Sequence, residues 1–506
     1  MTPTPPNKSL SKWEIYGLCL LLSLVFLFIF GNNSPLYAFN PNVDFQWYQT
    51  MGNSWLAGKV PYRDLFEQKG PITYAVAMFC CWCGNAGLVT WLLEILCCSI
   101  FLFIAYRIGQ LWLTPRLGLW LPPVLMVVVG FSCCQVWVGG AVEEFCLPLF
   151  AYATLCFLEL LLQKREFSPW RSLAMGVMVS VLFWVKFTML YALVAPLIIW
   201  LVLSAKQHWP IMLRNLGLML VGFLVISLPV MLGFGLAGAL RDLWQVYFYN
   251  NIFLYNSDLN VLLNVGQWLL AAPLAVAAMV SGVVVVSRTN WHGNGGKLLL
   301  TAFLINLGLL LLSKGYGYYY IELYPYAVLG VVLFIQYLAK YAWVQQLKAG
   351  IYLAVCLVCV VLCVPAGYTF YNLGRSADQF LAGDVAQDVR TFSTTHGLTD
   401  PTLFVYKTRD YGFYNALGQV PTTKYFAQNM FTEESFPTMY QAFAATIEQQ
   451  TCDFVVTELK TWQAEYDFLS QYYQPFTGDI GSSSYTYHYQ YTCIYYPETF
   501  VLLCRI

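Results

Sequence analysis

Charge is what this chain lacks. Only 10% of its 506 residues are Asp, Glu, Lys or Arg, against about 25% in an ordinary soluble domain. With 59% hydrophobic and 17% aromatic residues, the composition excludes a water-soluble protein and places the chain in the membrane class. Basic and acidic residues balance at 26 each, and no polybasic tail exists to hold a phosphate backbone, so nucleic acid is excluded as a partner. No solenoid-type repeat is present. No small-residue cleavage site follows the apolar run 14–31, which continues into Gly31-Asn32-Asn33-Ser34-Pro35; the run is expected to remain as a first span. The 16 cysteines show no zinc spacing. All but Cys452, Cys493 and Cys504 lie in apolar runs, where cysteine behaves as a small hydrophobe. The remaining three are odd in number, so at least one is unpaired or bonded elsewhere.

What the chain has is apolar length. Stretches near the ~20 residues of a spanning helix occur at 14–31, 86–106, 117–134, 145–163, 171–185, 188–204, 216–236, 263–287, 298–313, 323–339 and 349–369. A further apolar segment, 71–84, is short for a crossing and is expected to dip in from the outer face. Lys8/Lys12, Arg107/Arg116, Lys164/Arg165/Arg171, Lys206/Arg214, Arg288/Lys297 and Lys340/Lys348 punctuate alternate turns. Placed in the cytoplasm by the positive-inside rule, they put the N-terminus inside and everything after 369 outside. The expected fold is an α-helical polytopic protein of the cell membrane with about 11–13 spanning helices over residues 1–370, followed by a small extracytoplasmic α/β domain, 371–506. In that domain strands are expected at 402–406, 452–456 and 484–504, and helices at 438–450 and 460–471.

Three outward loops, 32–70, 135–144 and 237–262, hold the unusual residues. Asp44 stands about a dozen positions beyond the first apolar run, within a stretch, 43–57, that reads as an interfacial helix. Then comes Gly58-Lys59-Val60-Pro61-Tyr62-Arg63-Asp64-Leu65-Phe66-Glu67-Gln68-Lys69-Gly70-Pro71. Pro71 suits the first position of a helix, with Gly70 as its cap and Lys69 beside it. A helix N-terminus plus an ammonium makes an anion site; a lysine snorkelling to headgroups, or paired with Glu67 or Asp64, is the plainer reading. Glu143 and Glu144 open an apolar helix, where one carboxylate would complement the helix dipole and two adjacent ones repel. At least one is expected to meet a cation, a metal or a substrate hydroxyl. Lys186 and Lys314 are cations at the outer mouth of apolar runs, candidates for function or for snorkelling. The tyrosines that follow Lys314 also suit an interfacial belt. Carboxylates with several cations suit group transfer from a lipid phosphate: a carboxylate takes the acceptor proton and the cations hold the departing phosphate. Proton-coupled transport uses the same residue types.

This arrangement resembles the GT-C superfamily of membrane glycosyltransferases, the class of protein O-mannosyltransferases and bacterial aminoarabinose transferases. The resemblance rests on Asp44 followed by Gly58, Pro61, Tyr62, Asp64, Phe66, Lys69, Gly70 and Pro71, and on Gly139, Gly140, Glu143, Glu144, Phe145, Leu147 and Pro148. The Tyr-rich run ending in Pro325 resembles a later outer-loop motif more weakly. The resemblance covers residues 10–370. It implies a polyprenyl-phosphate-linked sugar donor, an outward-facing site, an extracytoplasmic acceptor and no nucleotide cofactor. It also implies that Asp44 is essential. Many relatives pair that acid with a second one, whereas Phe45 follows here, leaving Glu143 or Glu144 to complete the pair. Arg63, Lys69, Lys186 and Lys314 are then the candidates to bind the donor phosphate. Asp64, Glu67, Tyr319 and Tyr320 are candidates to contact sugar or acceptor. Metal use varies across the superfamily and stays open. The expected activity is transfer of one sugar to a cell-surface polymer, glycolipid or protein. A lipid-linked sugar flippase or transporter, or a non-catalytic envelope-assembly protein on the same scaffold, is the alternative.

Overall fold

The computed structural model describes residues 10–130, 139–162, 168–207, 209–255, 261–312, 317–346, 348–363, 372–491 and 494–506. Among these, six helices are long and apolar enough to cross a membrane: Lys12–Phe30, Ala86–Gly109, Val142–Leu161, Pro169–Lys206, Trp209–Leu236 and Tyr319–Leu338. The pair Val261–Ala271 and Pro273–Thr289, bent by 103°, makes a seventh if taken as one broken span. Shorter apolar helices occupy Pro71–Trp82, Pro115–Gly130, Gly295–Leu311 and Ala349–Cys359. The 38-residue unit Pro169–Lys206 holds two of the apolar runs, separated at Lys186. Every apolar run read from the sequence therefore carries helix, and the chain is a polytopic α-helical membrane protein.

Local chemistry places the helix starts. Ser11 and Glu14 form a capping box on Lys12–Phe30, satisfying two orphan amides at once. Asn42 accepts from the Phe45 amide at 3.0 Å and starts the helix Val43–Leu56. Proline occupies the first turn of Pro71–Trp82, Pro169–Lys186 and Pro273–Thr289, where its missing N–H costs nothing.

The C-terminal unit is built on five strands: β1 Leu403–Val405, β2 Phe454–Glu458, β3 Tyr473–Pro475, β4 Ser484–Tyr491 and β5 Ile494–Arg505. The order is β1-β2-β5-β3, with β4 also pairing with β5. β1 and β2 run parallel, in register Phe404 to Val455, and the other pairs are antiparallel. The strands anticipated near 402, 452 and 484–504 are all present, as is the helix Pro437–Glu448. The helix expected at 460–471 is two short pieces, Leu459–Ala464 and Tyr466–Leu469. The amphipathic helix Leu381–His396 was missed; its polar composition masks a buried stripe of Leu381, Val385 and Val389.

One hydrophobic core joins this unit to one end of the membrane helices. Trp47, Met51, Tyr62 and Phe66 from the first loop belong to the same buried cluster as Phe404, Phe426, Val455 and Leu502. Phe66 N donates to Lys424 O at 2.9 Å, Thr50 Oγ1 to Asp410 Oδ2 at 2.8 Å, and Asn415 Nδ2 to Gln46 O at 2.8 Å. The first loop, 32–70, is thus held between the membrane helices and the sheet unit.

Candidate functional site

The site is assembled around the first loop. In Pro61-Tyr62-Arg63-Asp64, Asp64 Oδ2 accepts from the Val60 amide at 2.7 Å and its own amide donates to Val60 O at 2.9 Å, closing a tight turn. Tyr62 takes a left-handed backbone, φ 71°, a conformation costly for a bulky residue. Its fully buried ring compensates by anchoring the turn, and its hydroxyl donates to Lys69 O at 2.7 Å. Arg63 forks onto Asp64 at 2.8 Å and donates to Ala237 O at 2.7 Å. Glu67 is buried; its Oε2 accepts from the Lys69 amide at 2.8 Å and from the Tyr74 hydroxyl. Burial pushes Glu67 up, with Lys69 and backbone amides opposing. Arg63, Asp64 and Glu67 thus frame the turn that presents Lys69.

Gly70 then makes a close approach that no other residue permits. Its amide donates to Val185 O at 3.0 Å, and an added Cβ would fall 1.9 Å from Trp184 O. The contact occurs where the helix Pro169–Lys186 breaks: Lys186 is extended, φ −165° and ψ 102°. Tyr247 braces the same break by accepting from the Phe187 amide at 3.0 Å and donating to Phe183 O. Tyr247 belongs to Trp244–Leu254, a stretch wound in wide π-helical turns, a geometry frequent at functional sites.

Lys69 and Lys186 consequently line one cavity of about 580 Å³, with Asp44, Tyr319 and Asn251. That volume falls within the range of small-ligand sites. Lys186 Nζ lies 2.6 Å from Glu143 Oε1 and 3.3 Å from the Tyr319 ring centroid. Burial opposes the charge on Lys69, but Tyr48, Asp44 and Glu67 outweigh it and push the pKa above the ordinary lysine value. Buried Trp47 Nε1, Gln68 Oε1 and Asn429 Nδ2 all belong to lining residues and have no hydrogen-bond partner among the described residues. Buried polar groups are almost always partnered, so this wall is chemically suited to a polar ligand.

The other candidates lie apart from the cavity wall. Glu143 is buried behind Lys186, in the first turn of Val142–Leu161. Glu144 is fully buried on the side of Cys97. The preceding Gly140, φ 155°, packs against Phe45 and Asn42, tying this motif to the Asp44 helix. Tyr320 turns away to stack on Trp268 and donate to Asn264 O at 3.0 Å. Lys314 lies outside the described residues. Among the described residues no three His, Cys, Asp or Glu side chains group to hold a metal ion. Two contributors escaped the sequence reading: Arg409 with Gln428 and Asn429 from the C-terminal unit, and Tyr247 with Asn251 from the π-helical stretch. No motif marks them, because only the packing of the sheet unit over the first loop brings them in.

A polytopic helical unit with a small sheet unit packed on it is a fold that solved membrane-protein structures share. The particular structures that share it include ArnT from Cupriavidus metallidurans in the apo state, with TM-score 0.62, 12% identity and 97% of both chains covered. The same protein bound to undecaprenyl phosphate aligns with TM-score 0.61 and 13% identity over 97% of this chain and 98% of that one. The archaeal oligosaccharyltransferase AglB from Archaeoglobus fulgidus, in complex with an inhibitory peptide and a dolichol-phosphate, aligns with TM-score 0.52 and 10% identity, covering 96% of this chain and 74% of AglB. No family model and no curated protein sequence matches the chain.

Proposed function

We propose that this protein is an integral-membrane glycosyltransferase that moves a sugar from a polyprenyl-phosphate donor to an extracytoplasmic acceptor. The observation that carries this reading is the convergence of Lys69, Lys186, Arg409 and Asp44 on one cavity. Two solved structures of the same fold hold a polyprenyl or dolichol phosphate, which supports a lipid phosphate as the ligand here.

In this mechanism Lys69 and Lys186, joined by Arg409, bind the phosphate oxygens through charge-assisted hydrogen bonds. Asp44 accepts the proton of the acceptor hydroxyl. The freed oxygen forms a bond to the anomeric carbon as that carbon's bond to the phosphate oxygen breaks. The electron pair leaves with the lipid phosphate, whose growing charge the cations stabilise. Glu143 holds Lys186 in place. The cavity faces the outside of the cell, and the N-terminus lies in the cytoplasm.

The test is transfer of radiolabel in proteoliposomes from a panel of polyprenyl-phosphate sugars to a crude envelope acceptor. Label should reach the acceptor with wild type and not with folded Asp44→Asn. Label crossing the bilayer while still on its lipid would instead establish a flippase.

A further inference from the structure

The helix Val43–Leu56 has a second cavity against its other face, about 950 Å³ in volume and distinct in chemistry from the lysine-lined one. We propose that it binds an uncharged glycan. Its wall combines amides, Asn32, Gln49 and Gln387, with the aromatic rings of Phe39 and Phe45. Its charged lining residues are Asp378 and Arg390, one of each sign, and it has no lysine. An amide both donates and accepts, which matches a hydroxyl, and a ring face accommodates the C–H face of a sugar. A phosphate or polyanion meets only one cation in this wall, Arg390, offset by Asp378, whereas the lysine-lined cavity suits one.

The neighbouring amides are already committed, and that singles out Asn32. Asn40 Nδ2 donates to Asn33 Oδ1 at 2.9 Å, and Asn33 Nδ2 donates to Glu94 Oε1 at 3.2 Å. These build the floor. Asn32 is only 3% exposed, and its Oδ1 has no hydrogen-bond partner among the described residues. Buried polar groups are almost always partnered, so an unpartnered acceptor in a residue that lines a polar cavity favours a polar ligand there. The cavity is roofed by Leu381–His396 of the C-terminal unit, through Gly383, Gln387 and Arg390. As the dock of the transfer acceptor, this glycan rests on the transferase reading; its binding does not.

The experiment incubates the purified chain in lipid nanodiscs with an array of uncharged, sulfated and phosphorylated oligosaccharides. Wild type, the double variant Gln49→Ala/Gln387→Ala and Lys69→Met are compared, with melting midpoints as the check on folding. Uncharged glycans should bind, at least tenfold more weakly to the double variant and unchanged to Lys69→Met. No glycan bound, anionic glycans alone bound, or binding lost in Lys69→Met and kept in the double variant would each overturn the proposal. Transfer measured on the same preparations separates the two readings. Transfer without glycan binding sinks this site and spares the transferase; glycan binding without transfer does the reverse.

Discussion

Lys186 reaches across from its broken helix to Glu143 at 2.6 Å, with both side chains almost wholly buried. A buried pair of this kind contributes little net stability, yet losing one partner strands the other's charge. Lys186→Met should therefore cost about 3–5 kcal/mol, read as a lowered melting midpoint in detergent. Adding Glu143→Gln should recover most of that loss without restoring donor binding. Recovery of binding in the double variant would show that Lys186 serves only the fold.

Gly70→Ala tests the close approach. With a Cβ 1.9 Å from Trp184 O, the loop must withdraw and take Lys69 with it. Affinity for undecaprenyl phosphate, measured by titration calorimetry, should fall at least as far as in Lys69→Met. Wild-type affinity in Gly70→Ala would mean that Lys69 needs no such placement.

Arg409 makes the contribution of the C-terminal unit measurable. It is exposed, so Arg409→Ala should move the melting midpoint little. A hydrogen bond to a charged group is worth about 1.5–3 kcal/mol, so affinity for the lipid phosphate should drop about 10- to 100-fold. It should also become less sensitive to salt. An unchanged affinity would remove Arg409 from the site.

Asp410 sets a pH dependence. Burial raises its pKa from 3.8 to about 6, opposed by hydrogen bonds from Thr50 and the amides of Gly412 and Phe413. A carboxyl raised on folding holds its proton more tightly in the folded state, so stability is greatest below the unfolded pKa and declines as pH rises through the folded one. Between pH 4 and 6 the loss should reach about 3 kcal/mol at most, seen as a falling melting midpoint. The slope should flatten in Asp410→Asn. An equal slope in both proteins would assign it to other groups.

The charged residues of the first loop show how far the sequence could be read. Asp44 and Lys69 were legible because their motif is local, and they line the cavity. Arg63, Asp64 and Glu67 lie in the same motif but shape its turn. Sequence spacing does not reveal that division, since it depends on Tyr62 taking a positive φ and on Asp64 folding back to Val60. Tyr319 and Tyr320 are adjacent, yet one faces Lys186 and the other stacks on Trp268.

Hydrophobic length and charge scarcity determined by themselves that this chain is a helical membrane protein, because bilayer thickness and the cost of unpaired backbone groups in lipid leave few alternatives. Strands β1, β2, β4 and β5 and the helix Pro437–Glu448 followed from apolar periodicity, whereas β3 and the helix Leu381–His396 did not. Only the tertiary structure decided which cations share a cavity. It did so through contacts more than a hundred residues apart in the chain, Gly70 to Val185 and Thr50 to Asp410. Such contacts depend on which surfaces pack together, and no local propensity encodes them.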